Sequence, residues 1–296
     1  MPLSPVFTQH LEAVLQQQLH RPVRILQSDT ITGGHINKTW LLQSDAGDFI
    51  IKINDAVQFP FMFAGEAAGL RLIASTHTVA TPQVIATGEY MGIKNRFTYL
   101  ILERITTGTP DARSMQLLGQ QLAALHRHSA PQYGLSEDFM SFFPQSNAFH
   151  DTWPAFFIQE RLQPMVKRAT DAGRLDACDL RNFDTLYKKL DELVPGEPPA
   201  LVHGDCWSGN CMVNTQGIPY LIDPAAYYGH REVDICMTQL FGGFSQPFYE
   251  AYQEVWPLQK GWEQRMGIWQ LYPLLILNLF GPDYQQQLRE TLKKYV

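Results

Sequence analysis

The chain has 296 residues, 45% of them hydrophobic and 18% charged, with a formal net charge of −6. That length allows a substantial core and is read as two lobes rather than one large domain. The acidic balance argues against a nucleic-acid binder, which needs a basic footprint, and mildly favours cationic ligands.

Residues 2–20 show no basic start followed by an apolar run, so no signal peptide is expected there. The most apolar stretch, Leu271 to Phe280, is interrupted by Pro273 and Asn278. It falls well short of the ~20 residues a membrane span needs. A cytoplasmic protein without a membrane partner is expected. Cys178, Cys206, Cys211 and Cys236 form no CxxC pair and have no histidine at zinc-ligand spacing, so they are read as reduced thiols.

Apolar residues at 7, 11, 14, 15 and 19 mark a helix over Val6 to Leu19 that caps the first lobe. From Arg24 the period becomes that of strands, at Ile25 to Ile31, Ile36 to Gln43 and Phe49 to Ile53. Turns fall at Thr32-Gly33-Gly34-His35 and Asp45-Ala46-Gly47-Asp48. Lys52 stands between Ile51 and Ile53, where an unpaired buried ammonium would cost several kcal/mol or lose its charge. It needs a partner. Glu66 is the candidate, on a helix from about Phe61 to Ser75 whose apolar side holds Phe63, Ala67, Leu70 and Ile73. The alternative is a solvated lysine on the open face of an edge strand.

Two more strands follow, Val84 to Gly88 and Phe97 to Ile105, the second leading into Thr106-Thr107-Gly108-Thr109-Pro110. Ser114 to His128 reads as a helix through Met115, Leu118, Leu122 and Leu125, with His126 a structural histidine. Pro131 to Gln163 is rich in aromatic residues, including Phe139, Phe149, Trp153, Phe156 and Phe157, which form either a lid over a pocket or ordinary core. Asp171 to Leu193 reads as a helical connection. Gln246 to Trp256 and Glu263 to Phe280 read as closing helices of the second lobe, and Tyr284 to Tyr295 as an amphipathic tail.

The stretch from Leu201 to Met237 carries the chemistry. Leu201 and Val202 lead into His203-Gly204-Asp205, where the glycine lets the chain turn and present the acid. Asn210 follows five positions later. Cys211 to Val213 and Tyr220 to Ile222 then make a hairpin that returns Asp223 to the side of Asp205. An acid, an amide and an acid in this order resemble the arrangement of protein kinases. There the first Asp accepts a hydroxyl proton, while the Asn and the last Asp hold magnesium against ATP phosphates.

Gly204 replaces the arginine usual in protein kinases, and Asp223-Pro224-Ala225 stands where Asp-Phe-Gly would. These departures resemble the aminoglycoside phosphotransferase group. Within it, His203-Gly204-Asp205, Trp207, Gly209-Asn210, Pro224-Ala225, Tyr228-Gly229-His230-Arg231-Glu232 and Asp234 are similar to the fructosamine kinase, or ketosamine kinase, family. Trp153-Pro154, Phe157 and Arg161-Leu162 extend the likeness over nearly the entire chain.

The resemblance implies an α+β, protein-kinase-like bilobal fold. Residues 1–104 would form an ATP-binding lobe built on an antiparallel sheet, and residues 105–296 a mostly helical catalytic and substrate-binding lobe. It implies ATP and Mg2+ as cofactors. Gly33 and Gly34 would offer N–H groups to the phosphates, with Asn37 steadying their turn; an ordinary hairpin turn is the alternative. Where the family loop carries an acid, this chain has His35. Lys52, aimed by Glu66, would reach the α- and β-phosphates, and the backbone of Glu103 and Ile105 would hold adenine. Asp205 would be the catalytic base and Asn210 and Asp223 the metal ligands.

Trp207 either stacks on a sugar face or packs beneath the loop. His203 and Asp234 would brace the loop. The implied acceptor is a small-molecule ketosamine, with glycated protein lysines as a wider partner class, handled by a monomer in a deglycation repair. Kinases of aminoglycosides or choline use the same three residues, and a nucleotide-binding module without catalysis is the reading from another class. A protein kinase is disfavoured by the missing Asp-Phe-Gly and Ala-Pro-Glu signatures.

Overall fold

The structure is a computed structural model that describes residues 3–31, 37–92, 96–140 and 143–296. Helix α1 (Pro5–Leu19) starts where the Ser4 side chain accepts from the Phe7 N–H. Its buried Phe7, Leu11 and Leu15 cover one face of an antiparallel sheet. The sheet comprises β1 (Ile25–Ile31), β2 (Lys38–Ser44), β3 (Gly47–Asp55), β4 (Val84–Met91) and β5 (Arg96–Glu103), in the order β1-β2-β3-β5-β4. Successive side chains on a strand point to opposite faces. Ile51 and Ile53 therefore join the core under α1, while Ile50 and Lys52 face helix α2 (Met62–Ser75) on the other side. Because β3 lies inside the sheet, the solvated edge-strand alternative for Lys52 fails.

A linking segment leads from β5 to helix α3 (Ala112–His126), which begins two residues before the predicted start. Asp111 and Ser114 form a capping box there, each side chain accepting from the other's backbone N–H, and this fixes the terminus. The segment is stitched to the hairpin that carries Asp223: Gly108 N–H donates to the Val213 carbonyl at 2.7 Å.

The chain continues through a small ribbon, β6 (Phe139–Met140) and β7 (Pro144–Gln145). Helix α4 (Trp153–Phe156) then runs through a π-helical turn, Phe157–Leu162, into α5 (Gln163–Asp171). Trp153, Phe156 and Phe157 are buried in the largest core cluster, so the packing alternative holds for them. Phe149 remains exposed, and Phe142 lies outside the described residues. The helical connection predicted from Asp171 is broken. Asp171 ends α5, Gly173 turns at a φ of +68°, and Asp176 caps α6 (Ala177–Leu193) by accepting from the N–H groups of Cys178 and Asp179.

The strands β8 (Ala200–Val202), β9 (Cys211–Val213), β10 (Pro219–Leu221) and β11 (Tyr227–Gly229) pair as β8 with β11 and β9 with β10. Helices α7 (Glu232–Leu240), α8 (Gln246–Val255), α9 (Trp262–Phe280) and α10 (Gln285–Leu292) complete the second lobe. Among the described residues no helix is long and apolar enough to cross a membrane. All four cysteines are free.

Candidate active site

The loop after β8 is shaped by Gly204. Its φ is +81°, and a Cβ there would overlap the Ala225 carbonyl oxygen. No side chain fits. Gly204→Ala is expected to lower the unfolding free energy by about 2 kcal/mol or more, from the left-handed backbone plus the overlap. Urea unfolding read by circular dichroism checks it.

Asp234, in the first turn of α7, is fully buried and collects three donors. His203 N–H donates to it at 2.6 Å, Gly204 N–H at 2.9 Å and His126 Nε2 at 3.0 Å. Burial alone would raise its carboxyl, but His126 and His203 hold it below the ordinary carboxylate range. His203 accepts the Asp205 N–H on Nδ1 at 3.3 Å and donates from Nε2 to the Ile222 carbonyl at 2.9 Å. Those two bonds place its proton on Nε2. Burial lowers its basicity, so the ring serves as a neutral strut between the Asp205 loop and the strand ahead of Asp223.

Asn210 spends both Nδ2 hydrogens on Asp205, one on the carbonyl at 2.9 Å and one on Oδ2 at 2.8 Å. That leaves Oδ1 as the oxygen of the amide that could serve a cation. The Ile222 N–H donates to the Asn210 carbonyl at 3.0 Å, so Asp223 emerges directly beside it. Asp223 adopts a φ of +55°, a left-handed conformation that few non-glycine residues hold and that recurs at functional sites. Burial pushes the Asp205 carboxyl up to about 7, helped by the charges of Asp223 and Asp234 and opposed by Asn210.

Lys52 Nζ lies 2.7 Å from Glu66 Oε1 and also contacts Asp223 Oδ1. The ion pair expected between Lys52 and Glu66 is present, and the lysine bridges the sheet to the hairpin. Desolvation opposes its charge, but the two carboxylates overcome this and raise its basicity. Burial pushes Glu66 up as well, against the pull of Lys52. The short contact and the second carboxylate favour an ionised pair.

A cleft of about 440 Å³ opens here, lined by Lys52, Leu102, Glu103, Ile105, Met212 and Asp223 among others. Glu103 uses its N–H on the Gln83 carbonyl at 2.9 Å and its carboxylate on the Gln83 N–H at 3.0 Å. Ile105 N–H makes no hydrogen bond among the described residues. Asn37 accepts from Asn54 Nδ2 at 2.7 Å, tying the start of β2 to β3. Gly33, Gly34 and His35 lie outside the described residues. Trp207 is half-buried, against Gly209 on one side and Phe241 on another.

The donor set suits a hard cation. Asn210 Oδ1 and the Asp223 carboxylate offer oxygen donors, 39% of the Asp223 side chain is exposed, and phosphate oxygens and waters would complete the shell of an ion held there. Among the described residues no three His, Cys, Asp or Glu side chains gather to hold a metal without such help. Sequence reasoning missed Met212 and Ile222 as cleft residues, although their two-residue alternation with the buried Val213 and Leu221 was a usable signal. It also missed Tyr252, whose hydroxyl meets His126 Nδ1 at 2.8 Å. No local pattern marks that partnership.

A sequence profile described as fructosamine kinase matches residues 7–296. The chain belongs to the fructosamine kinase family. A "probable ketoamine kinase" of Synechocystis sp. is 37% identical over 98% of this chain and 97% of its own length. Another, of Enterococcus faecium, is 35% identical over 90% of this chain and 94% of its own. Two solved structures carry provisional fructosamine-3-kinase names. The one from Thermobifida fusca has a TM-score of 0.84 at 32% identity, covering 96% of this chain and 98% of that one. The one from Haemophilus somnus has a TM-score of 0.87 at 25% identity, covering 97% and 96%.

An aminoglycoside phosphotransferase shares the fold at a TM-score of 0.64 and 14% identity, over 97% of this chain and 99% of that one. The α+β, protein-kinase-like bilobal fold expected from the sequence is thus found. As a fructosamine kinase the chain is an ATP-dependent phosphotransferase with an alcohol group as acceptor, which sets aside the protein-kinase and non-catalytic readings.

Proposed function

We propose that this fructosamine kinase phosphorylates ketosamines, the rearranged adducts of glucose or ribose with an amine, on the hydroxyl of the third sugar carbon. The observation that carries the mechanism is Asp205, anchored through Asn210 and His203 next to an Asp223–Lys52–Glu66 cluster that opens on the cleft.

In this mechanism Glu103 and Ile105 hold adenine by their backbone, Lys52 answers the charge of the phosphates, and Gly33 and Gly34 offer N–H groups to them. Asn210 Oδ1 and Asp223 would hold Mg2+, which would supply charge neutralisation on the phosphates. Asp205 orients the acceptor hydroxyl in line with the γ-phosphorus. Its oxygen forms the new P–O bond as the bond to ADP breaks, and Asp205 takes the proton late. Positioning and charge neutralisation supply most of the acceleration. Trp207 stacks on the sugar, and His203 and Asp234 fix the loop.

The phosphorylated adduct is destabilised and releases its amine, which makes the reaction a deglycation repair open to free amines and to glycated lysines of proteins. We assign it to a cytoplasmic monomer with its lobes divided at residues 104 and 105. The test is an acceptor panel of fructosyl- and ribulosyl-amines, choline and kanamycin. ATP consumption gives rates, and mass spectrometry with phosphorus NMR identifies products. Fastest turnover on a ketosamine, with phosphate on the third carbon, is expected. Fastest turnover on choline or kanamycin would overturn the assignment.

A further inference from the structure

We propose that Phe241 is a specificity-determining residue of the acceptor site, forming with Trp207 an aromatic corner that holds the cationic amine of the substrate. The proposal rests on the ketosamine reading above and adds a residue and an interaction to it. Along the catalytic loop, Cys206 points inward and is buried, while Asp205 and Trp207 are only partly covered. Trp207 N–H donates to the Asp205 carbonyl at 3.0 Å, and this tight turn keeps the indole close to the base.

Gly209 supports the indole from one side, since a Cβ there would overlap its six-membered ring. Phe241, at the end of α7, stands nearly perpendicular to the indole, with 5.6 Å between centroids and 68° between planes. It is 45% exposed. The next residues, Gly242 and Gly243, have φ of +68° and +96°, and a Cβ on Gly243 would collide with the Ser208 side chain. A segment without side chains is thus seated against the catalytic loop, so the position of Phe241 is set relative to Trp207.

Neither ring lines the nucleotide cleft, whose walls include Asp223 but not Asp205. The corner stands outside those walls, on the loop that carries Asp205, and both rings are at least partly exposed. The secondary amine of a ketosamine is cationic, and an ammonium is drawn to an indole or phenyl face. Trp207 alone offers one wall. Phe241 supplies the second.

The test compares Phe241→Ala, Phe241→Leu and Phe241→Trp with the parent protein on two acceptors. One is fructosyl-butylamine; the other is its neutral ether counterpart, in which oxygen replaces the amine nitrogen. Both Ala and Leu are expected to raise the KM for the amine about fivefold, the scale of an exposed cation–π contact, while Trp retains it. The KM for the ether and for ATP is expected to stay within about twofold in every variant. A Leu variant that keeps the parent KM for the amine would show that apolar packing suffices, and a rise of equal size for amine and ether would do the same; either overturns the proposal. A variant that raises the KM for ATP alongside overturns it too, by showing a structural disturbance. If the parent turned over no ketosamine, the proposed function itself would fail. Ketosamine turnover insensitive to Phe241 would sink this inference alone.

Discussion

Replacing Asp205 with Asn is expected to lower kcat at least ~100-fold, the scale of a general-base contribution, while leaving the KM for ATP close to the parent value. The amide matches the carboxylate in shape and can still accept from Asn210 Nδ2, which now lies 2.8 Å from Oδ2. It cannot take a proton. The loss stops short of the whole rate enhancement, because phosphoryl transfer depends chiefly on positioning and charge, and those groups remain. Stability gives an independent check. Burial raises the Asp205 carboxyl to about 7, which means the folded protein disfavours its charge relative to the unfolded chain. That penalty is absent below the unfolded value near 4 and grows as pH rises toward the folded value. A neutral isostere avoids it, so the Asn variant is expected to unfold at the parent temperature or slightly above. Near-parent kcat would remove Asp205 from the role of base.

The parts of this site that were legible in the sequence are the ones whose cause is local. Asp205, Asn210 and Asp223 sit on one loop and hairpin, and the turn at Asn214 to Gly217 sets where Asp223 returns. Lys52 announced a partner because isoleucines flank it, and a helix within reach carried Glu66. Its second contact, with Asp223, joins elements far apart in the chain; the resemblance to kinases brings the lysine and the hairpin acid together across the cleft, whereas no local pattern encodes it. The link from His126 to Asp234 and Tyr252 was hidden for the same reason. Helix ends were misplaced where caps overrode the apolar stripe. Asp111 and Asp176 satisfy the first free N–H groups of α3 and α6, and a cap of that kind decides the starting residue. The aromatic run near Trp153 was ambiguous because a lid and a core demand the same apolar rings, and only packing against Tyr227 and Trp269 distinguishes them.

Asp234→Asn is expected to destabilise the protein by about 3 kcal/mol and to reduce kcat at the same time. Every group that meets this carboxylate is a donor: His203 N–H, Gly204 N–H and His126 Nε2. An amide brings one acceptor oxygen and a pair of hydrogens. Whichever way it turns, its NH2 faces a donor and at least one buried N–H loses its partner. The backbone N–H groups of His203 and Gly204 are what hold the turn that presents Asp205, so the loss reaches the chemistry through geometry rather than through contact with substrate. The destabilisation carries a pH signature. The folded value of Asp234 lies below the ordinary carboxylate range, so its contribution is fully present above the unfolded value near 4 and is lost as pH falls through the folded value. Urea unfolding of parent and variant at pH 7 and in stepwise acid is therefore expected to show the widest gap at neutral pH and a narrowing one below about pH 4. A variant as stable as the parent at pH 7, with kcat preserved, would mean that the loop holds its shape without this carboxylate, and that the rigidity of the Asp205 turn comes from Gly204 and His203 alone.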